Sequence, residues 1–114
     1  MGVSKKQREQ VYKKYNERCA YCGQKIEYKN MQVDHIKPKY LGGKNETENY
    51  LPTCRACNFY KSTFSLEEFR KRIETIPDRL NKIFIFKLAI KYGLIKITNK
   101  KIKFLLEQNN GKEN

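Results

Sequence analysis

The stretch that decides the fold runs from Cys19-Ala20-Tyr21-Cys22, through Val33-Asp34-His35-Ile36-Lys37-Pro38, to Cys54-Arg55-Ala56-Cys57. Two Cys-x-x-Cys pairs therefore enclose the only histidine of the chain. Four thiolates suit a closed structural zinc site, because they fill a tetrahedral coordination shell. An Asp-His pair suits a second, open site, where oxygen ligands hold a cation and an imidazole transfers protons.

The cysteines are the strongest metal signal in the sequence. The first pair is Cys19 and Cys22, and the second pair is Cys54 and Cys57. The 31 residues between the pairs are enough for an inserted ββα unit. Disulfides or four simply buried cysteines are the alternative, but free thiols in a reducing compartment bind metal instead. We expect structural zinc at these four residues.

The net charge of the chain indicates what kind of molecule it binds. The chain has 114 residues with 25 Lys and Arg against 12 Asp and Glu, a net charge of +13. So large a charge on so short a chain points to a polyanion, with nucleic acid ahead of an anionic membrane surface. The first 15 residues are polar, and no apolar run is long enough to cross a membrane, so we expect a cytoplasmic protein without a membrane partner.

Local patterns predict a ββα unit around the histidine. A capping box at Ser4 and Gln7 predicts a first helix to about Glu17. A strand over Met31–Ile36, a return strand before Cys54 and a helix over Arg55–Lys61 follow. Zinc would lie at the base of this unit.

The remaining sequence predicts two helices and a hairpin. Ser65 and Glu68 form a second capping box, and a further helix runs from Asp78 to about Gly93, with its apolar residues in the core. Leu94–Thr98 and Ile102–Leu106 alternate as in a β-hairpin, and Asn109–Asn114 is a polar tail.

These elements define an α+β fold. We expect a zinc-stapled ββα-metal core with flanking helices and a C-terminal β-hairpin. The boundaries are a single domain over 1–114, a core over 15–63, and a helical and hairpin extension over 64–108.

The ordered motifs resemble the His-Asn-His (HNH) endonuclease family. The resemblance covers residues 15–63 and rests on these motifs: Cys19-x-x-Cys22, Val33-Asp34-His35-Ile36-x-Pro38, Gly42-Gly43, Glu48-Asn49-Tyr50-Leu51 and Cys54-x-x-Cys57-Asn58-x-x-Lys61. Asn58 stands where the family name implies histidine, although asparagine is familiar there among similar relatives.

The resemblance implies specific roles. His35 would be the general base, Asp34 and Asn58 the ligands of one catalytic divalent cation, and Asn49 the residue that holds the loop and orients His35. Amide and carboxylate oxygens favour Mg²⁺ or Mn²⁺ at that position. Nucleic-acid contacts are expected at Lys37, Lys39, Arg55 and Lys61.

The function expected from the resemblance is a metal-dependent DNA endonuclease that nicks DNA as a monomer, of the kind found in phages and bacterial restriction systems. A bacterial or phage-infected cell would be its setting. A non-catalytic, zinc-stabilised nucleic-acid-binding module is the main alternative, and a basic protein-interaction domain is the second. Target sequence, DNA or RNA preference, oligomeric state and the physiological cation stay open.

Overall fold

The computed structural model describes residues 3–108, which fall into two compact units. The first unit comprises Met1–Leu66 and Lys103–Asn114, and the second comprises Glu67–Ile102. The predicted tail at Asn109–Asn114 lies outside the described residues.

The first unit is built on the predicted ββα arrangement. Helix α1 spans Lys5–Lys13, strands β1 and β2 span Gln32–His35 and Tyr50–Thr53, and helix α2 spans Arg55–Lys61. The two strands pair antiparallel, with Asp34 opposite Leu51 and His35 opposite Tyr50. Helix α1 packs against β2, and α2 packs against β1. The predicted α+β fold and its ββα core are confirmed.

Helix α1 begins as predicted and ends earlier. The Ser4 hydroxyl accepts a hydrogen bond from the Gln7 backbone N–H, and the Gln7 side chain bonds back to the Ser4 backbone, which confirms the capping box. The helix stops at Lys13 instead of Glu17, because Asn16 and Glu17 have left-handed φ angles of 59° and 67°. Val11 from this helix is fully buried beside the sheet residues Tyr50 and Leu51, which are also buried.

The C-terminal segment completes the first unit. The backbone N–H groups of Leu105 and Leu106 donate to the carbonyls of Tyr21 and Ala20, at 3.1 and 2.8 Å. Phe104 is buried with its ring edge-to-face on Tyr21, at a centroid distance of 5.3 Å. The segment after Lys103 thus packs on the first cysteine pair.

The second unit is helical. Helix α3 spans Leu66–Glu74, α4 spans Ile76–Leu80 and α5 spans Phe84–Lys91. Pro77 lies in the first turn of α4, where its missing N–H costs no hydrogen bond. The sequence predicts one continuous helix from Asp78 to Gly93, but the structure interrupts it at residues 81–83, between α4 and α5. Gly93 follows α5 with a φ of +73°, as expected for a left-handed C-terminal cap.

The predicted C-terminal β-hairpin is wrong. No strand occurs between Leu94 and Leu106, a stretch that the structure describes in full. The backbone of Ile102 instead donates to the Glu74 carboxylate at 2.8 Å and accepts from Arg70 at 2.8 Å. Because other partners take these groups and those of Leu105 and Leu106, no ladder can form.

The apolar residues of α5 and its flanks are less buried than expected. Phe84 is 75% exposed and Ile85 69% exposed, although the sequence favours core positions for this helix.

Within residues 3–108, no helix is both long and apolar enough to span a membrane.

Candidate active site and metal centre

The four cysteines converge in the first unit. Their Sγ atoms all lie within 4.8 Å of one another, and those of Cys22 and Cys54 are 3.9 Å apart. Tetrahedral zinc with Zn–S bonds of about 2.3 Å requires S···S distances of roughly 3.8 Å. The cluster therefore fits zinc with little movement of the side chains.

Two turns bring the sulfurs together. In the first, the Cys19 N–H donates to the Gln24 carbonyl and the Gly23 N–H donates to the Cys19 carbonyl, at 2.8 and 2.9 Å. Gly23 has a φ of +80°, which glycine adopts without strain. In the second, Cys54 caps α2 and its sulfur accepts from the Cys57 N–H at 3.4 Å.

Hydrogen bonding within the cluster favours thiolate at Cys19, whereas Cys22 and Cys57 stay protonated. A hydrogen bond from Cys57, followed by contributions from backbone N–H groups, lowers the pKa of Cys19 to about 5. Burial raises the pKa of Cys22 to about 11, and the shared hydrogen bond with Cys19 raises the pKa of Cys57. The neighbouring sulfurs share protons, and a metal cation that binds to them displaces these protons.

Asp34 is the most heavily contacted carboxylate of the candidate active site. Its Oδ2 accepts from the Tyr21 hydroxyl at 2.7 Å and lies 3.1 Å from the Lys61 Nζ. Its Oδ1 accepts from the His35 backbone N–H at 2.8 Å. Burial, and then the charge of Asp34, raise the pKa of Tyr21 above its usual range, so the phenol stays a donor.

Lys61 is placed differently from its predicted role as a phosphate contact. Its side chain is 1% exposed, and its ammonium group pairs with Asp34, whose side chain is 13% exposed. A lysine held inside the protein by a carboxylate cannot reach a phosphate without leaving that partner. Lys61 thus acts within the site, on Asp34.

His35 ends β1 with its ring fixed on two sides. Its Nε2 lies 2.9 Å from the Asn45 Oδ1, and its ring packs edge-to-face on Tyr50 at 5.3 Å. Because the amide oxygen only accepts, Nε2 carries the hydrogen in this contact and Nδ1 keeps its lone pair. The arrangement leaves one ring nitrogen able to accept a proton.

Asn49 holds the loop between the strands. Its Oδ1 accepts from the Lys37 N–H at 2.9 Å, and its Nδ2 donates to the Lys37 and Lys44 carbonyls at 3.2 and 2.9 Å. These contacts match the first part of its expected role. The ring contact of His35 is made by Asn45, which lies in the loop that Asn49 holds.

The loop also requires its glycine pair. Gly42 has a φ of +93°, and a Cβ on Gly43 would lie 1.7 Å from the Lys37 carbonyl oxygen. The chain passes so close to itself here that no side chain fits at Gly43.

Within the described part of the chain, the remaining predicted residues make no side-chain hydrogen bond or ion pair with Asp34 or His35. Asn58 lies three residues before Lys61 on α2, a spacing that places the two residues on neighbouring positions of one helix face. Asp34 and Asn58 offer oxygen donors of the kind that Mg²⁺ and Mn²⁺ accept. Arg55, Lys37 and Lys39 are exposed, as phosphate contacts must be.

Three contributors were missed by the sequence reasoning. Tyr21, Asn45 and Tyr50 contact Asp34 or His35. Asn45 is one of several polar loop residues, and nothing in its pattern distinguishes it.

Comparison with known proteins agrees with this geometry. Residues 19–74 match the HNH endonuclease family. A 52-residue stretch, 45% of this chain, is 40% identical to the CRISPR-associated endonuclease Cas9 of Corynebacterium diphtheriae and covers 5% of it. An alignment 66 positions long, which covers 48% of this chain, is 33% identical to YoqL, a candidate HNH endonuclease derived from prophage SPbeta in Bacillus subtilis, and covers 27% of it.

The fold has a solved counterpart. The crystal structure of the Type II-C Cas9 enzyme from Actinomyces naeslundii aligns over 82% of this chain and 11% of its own, with a TM-score of 0.53 and 21% identity. The chain thus corresponds to a small part of each of these proteins.

The cysteine cluster, the ββα core and the match over residues 19–74 define an HNH nuclease module. Residues 19–74 of the chain belong to the HNH endonuclease family.

Proposed function

We propose that this chain is a metal-dependent DNA endonuclease that hydrolyses phosphodiester bonds, with His35 as general base and Asp34 and Asn58 as ligands of one divalent cation. The observation that carries the proposal is the state of His35. Asn45 and Tyr50 hold its ring, so that in the neutral ring with Nε2 donating to Asn45, Nδ1 would accept the proton, and the adjacent Asp34 would provide a cation ligand.

The chemistry follows from the obstacles to hydrolysis. A phosphodiester carries negative charge that repels nucleophiles, and water is a poor nucleophile until it loses a proton. His35 Nδ1 is suited to accept that proton as the water attacks phosphorus. Because Asn45 holds Nε2, the ring keeps its orientation while it changes charge.

A divalent cation would supply the charge that the residues lack. Bound by Asp34 and Asn58, Mg²⁺ or Mn²⁺ would stabilise the negative charge that builds on phosphate oxygens. In support, Asp34 Oδ1 keeps one lone-pair site beside the His35 N–H contact, and Asn58 on α2 would supply the second oxygen.

The substrate follows from charge and site number. The net charge of +13 favours a polyanion, and Arg55, Lys37 and Lys39 are exposed near the site. One catalytic centre cuts one strand, so a monomer nicks duplex DNA. The prophage and bacterial origin of the relatives supports a bacterial or phage-infected cell as the setting.

The test is nicking of supercoiled plasmid by zinc-loaded protein with Mg²⁺ or Mn²⁺, and the control arm is the same protein without either added cation. The His35→Ala protein should be slower by about a hundred- to ten-thousand-fold, as for loss of a general base. Added imidazole should restore part of the lost rate. Gln10→Ala, on the exposed side of α1, is the control and should match the unmodified protein.

Two outcomes would count against an enzyme. Equal cleavage by the His35→Ala and unmodified proteins would exclude His35 as the base. Tight DNA binding by both proteins, without cutting in any metal, would favour the non-catalytic binding module. Single-stranded DNA and RNA substrates in the same assay determine which nucleic acid is cut.

A further inference from the structure

Tyr21 connects the first cysteine turn to the candidate active site. It lies between Cys19 and Cys22, two of the four clustered cysteines, and is 3% exposed. Its hydroxyl donates to Asp34 Oδ2 at 2.7 Å. A residue whose backbone belongs to the zinc turn thus contacts the carboxylate expected to bind the catalytic cation.

The hydrogen-bond donors around the Asp34 carboxylate leave room for a cation at only one of its two oxygens, Oδ1. Each carboxylate oxygen accepts about two hydrogen bonds. Oδ2 has two neighbours, the Tyr21 hydroxyl and the Lys61 ammonium group at 3.1 Å. Oδ1 has one, the His35 N–H, so one of its acceptor positions stays open.

The two groups on Oδ2 both come from elements that the cysteines anchor. Tyr21 is inside the first Cys-x-x-Cys turn, and Lys61 lies on α2, which Cys54 caps and which contains Cys57. The orientation of the carboxylate is therefore set by the zinc-bearing part of the fold and not by the mobile end of a surface side chain.

We propose that Tyr21 is a positioning residue, which holds Asp34 so that the cation is bound by Oδ1 alone, and that it transmits the order of the zinc turn to the catalytic site. The inference rests on the proposed function. Tyr21 touches neither substrate nor cation; it acts through Asp34.

Tyr21 can be tested more cleanly than Lys61. Tyr21→Phe keeps the ring and its edge-to-face contact with Phe104, and removes one donor. Removing the Lys61 ammonium group would instead alter the charge of a buried pair. Tyr15 supplies a matched control, since it is also 3% exposed but makes no hydrogen bond to Asp34.

The primary measurement is Mn²⁺ binding to the zinc-loaded full chain, followed by the electron paramagnetic resonance signal of free Mn²⁺. Loss of a partner that orients a metal ligand typically weakens metal affinity about 10- to 100-fold. We expect a loss of that size in Tyr21→Phe, with zinc content and melting temperature close to those of Tyr15→Phe. The Mn²⁺ concentration for half-maximal cleavage should rise in parallel.

A double variant sharpens the assignment. In an Asp34→Asn background, Tyr21→Phe should cause no further loss of Mn²⁺ binding, because its only route to the cation has been removed. An additional loss there would overturn the proposal, since Tyr21 would then act by another path.

The remaining outcomes are distinct. Equal Mn²⁺ binding by Tyr21→Phe and Tyr15→Phe would overturn this inference and leave the proposed function standing. Loss of zinc or of folding in Tyr21→Phe would also overturn it, because the hydroxyl would then serve folding. Absence of Mn²⁺ binding in the unmodified protein would remove both this inference and the proposed cation site.

Discussion

The four-cysteine cluster and the Asp34–His35 site lie in the same unit but are built in opposite ways. The cluster consists of four identical ligand types whose sulfurs already lie within 4.8 Å of one another. The Asp34–His35 site begins with two neighbouring residues, and its geometry depends on Tyr21, Asn45 and Lys61 from distant parts of the sequence. The cysteine cluster thus contains all of its expected ligands, whereas the Asp34–His35 site depends on further residues that orient its side chains.

This difference predicts a division of effects. Changes in the cluster should act on folding, because a closed zinc site stores folding free energy. Changes around His35 should act on catalysis, because the same residues do not hold the unit together. Residues that join the two sites should show both effects in part.

The largest effect is expected from Cys57→Ser. Structural zinc contributes about 10–16 kcal/mol of binding free energy in small zinc domains, more than a domain of this size can lose. The variant should lose stoichiometric zinc and its helical circular dichroism signal, with Gln10→Ala as the control. A folded, zinc-free Cys57→Ser protein would contradict a folding role for the cluster.

Asp34→Ala should have the next largest effect, and it should reduce both the stability of the fold and the rate of DNA cleavage. The sequence alone suggests a folded, inactive protein, but the change would leave Lys61, 1% exposed, without its carboxylate. Removing one partner of a buried ion pair typically costs about 3–5 kcal/mol. Urea unfolding of zinc-loaded protein measures this loss of stability.

The double variant Asp34→Ala/Lys61→Met separates charge from chemistry. It removes the stranded ammonium group and should recover a large part of the unfolding free energy, yet remain inactive. If Asp34→Ala alone were as stable as the unmodified protein, the ion pair would contribute nothing to folding and the two sites would be independent.

The sequence predicts the parts of the molecule that depend on local spacing. The cysteine pairs, the strand that carries Asp34 and His35, and α2 follow from such spacing. Lys61 could not be placed the same way, since lysine is rarely buried and only the partner across the fold explains it.

The hairpin failed for a related reason. The alternation over Leu94–Leu106 is a local pattern, but the backbone groups of Ile102, Leu105 and Leu106 find their partners at Glu74, Tyr21 and Ala20. Hydrogen bonds to distant residues leave no periodic trace in sequence. The Tyr21 and Asn45 contacts escape sequence reasoning for the same cause.

Gly43→Ala should have a smaller effect on stability and a clear effect on catalysis. The new Cβ would lie 1.7 Å from the Lys37 carbonyl oxygen, so the loop that carries Asn45 must move. Forced overpacking typically costs about 1–3 kcal/mol. Displacement of a positioned group by about 1 Å can reduce the rate about a hundredfold.

Gly23→Ala is the matched control for this change. Gly23 has a φ of +80°, which strains an alanine, but a Cβ there meets nothing within 4 Å. Gly23→Ala therefore adds backbone strain without a clash, whereas Gly43→Ala adds a clash with the Lys37 carbonyl, so nicking should fall far more in Gly43→Ala. Equal activity in both variants would show that the loop does not position His35.

The smallest effect separates two arginines that look alike in the sequence. Arg55 is exposed on the first turn of α2, whereas the Arg8 guanidinium donates to the Tyr28 and Met31 carbonyls at 2.7 and 3.0 Å. Each phosphate of duplex DNA that a protein neutralises adds about 0.9 to the steepness of log affinity against log salt. Arg55→Ala should reduce that steepness by about this amount, measured by fluorescence anisotropy on zinc-loaded protein without added Mg²⁺ or Mn²⁺. Arg8→Ala should lower the free energy of unfolding and leave the salt dependence unchanged, because its charge is already used within the protein; a shallower salt dependence in Arg8→Ala would place DNA across α1 instead.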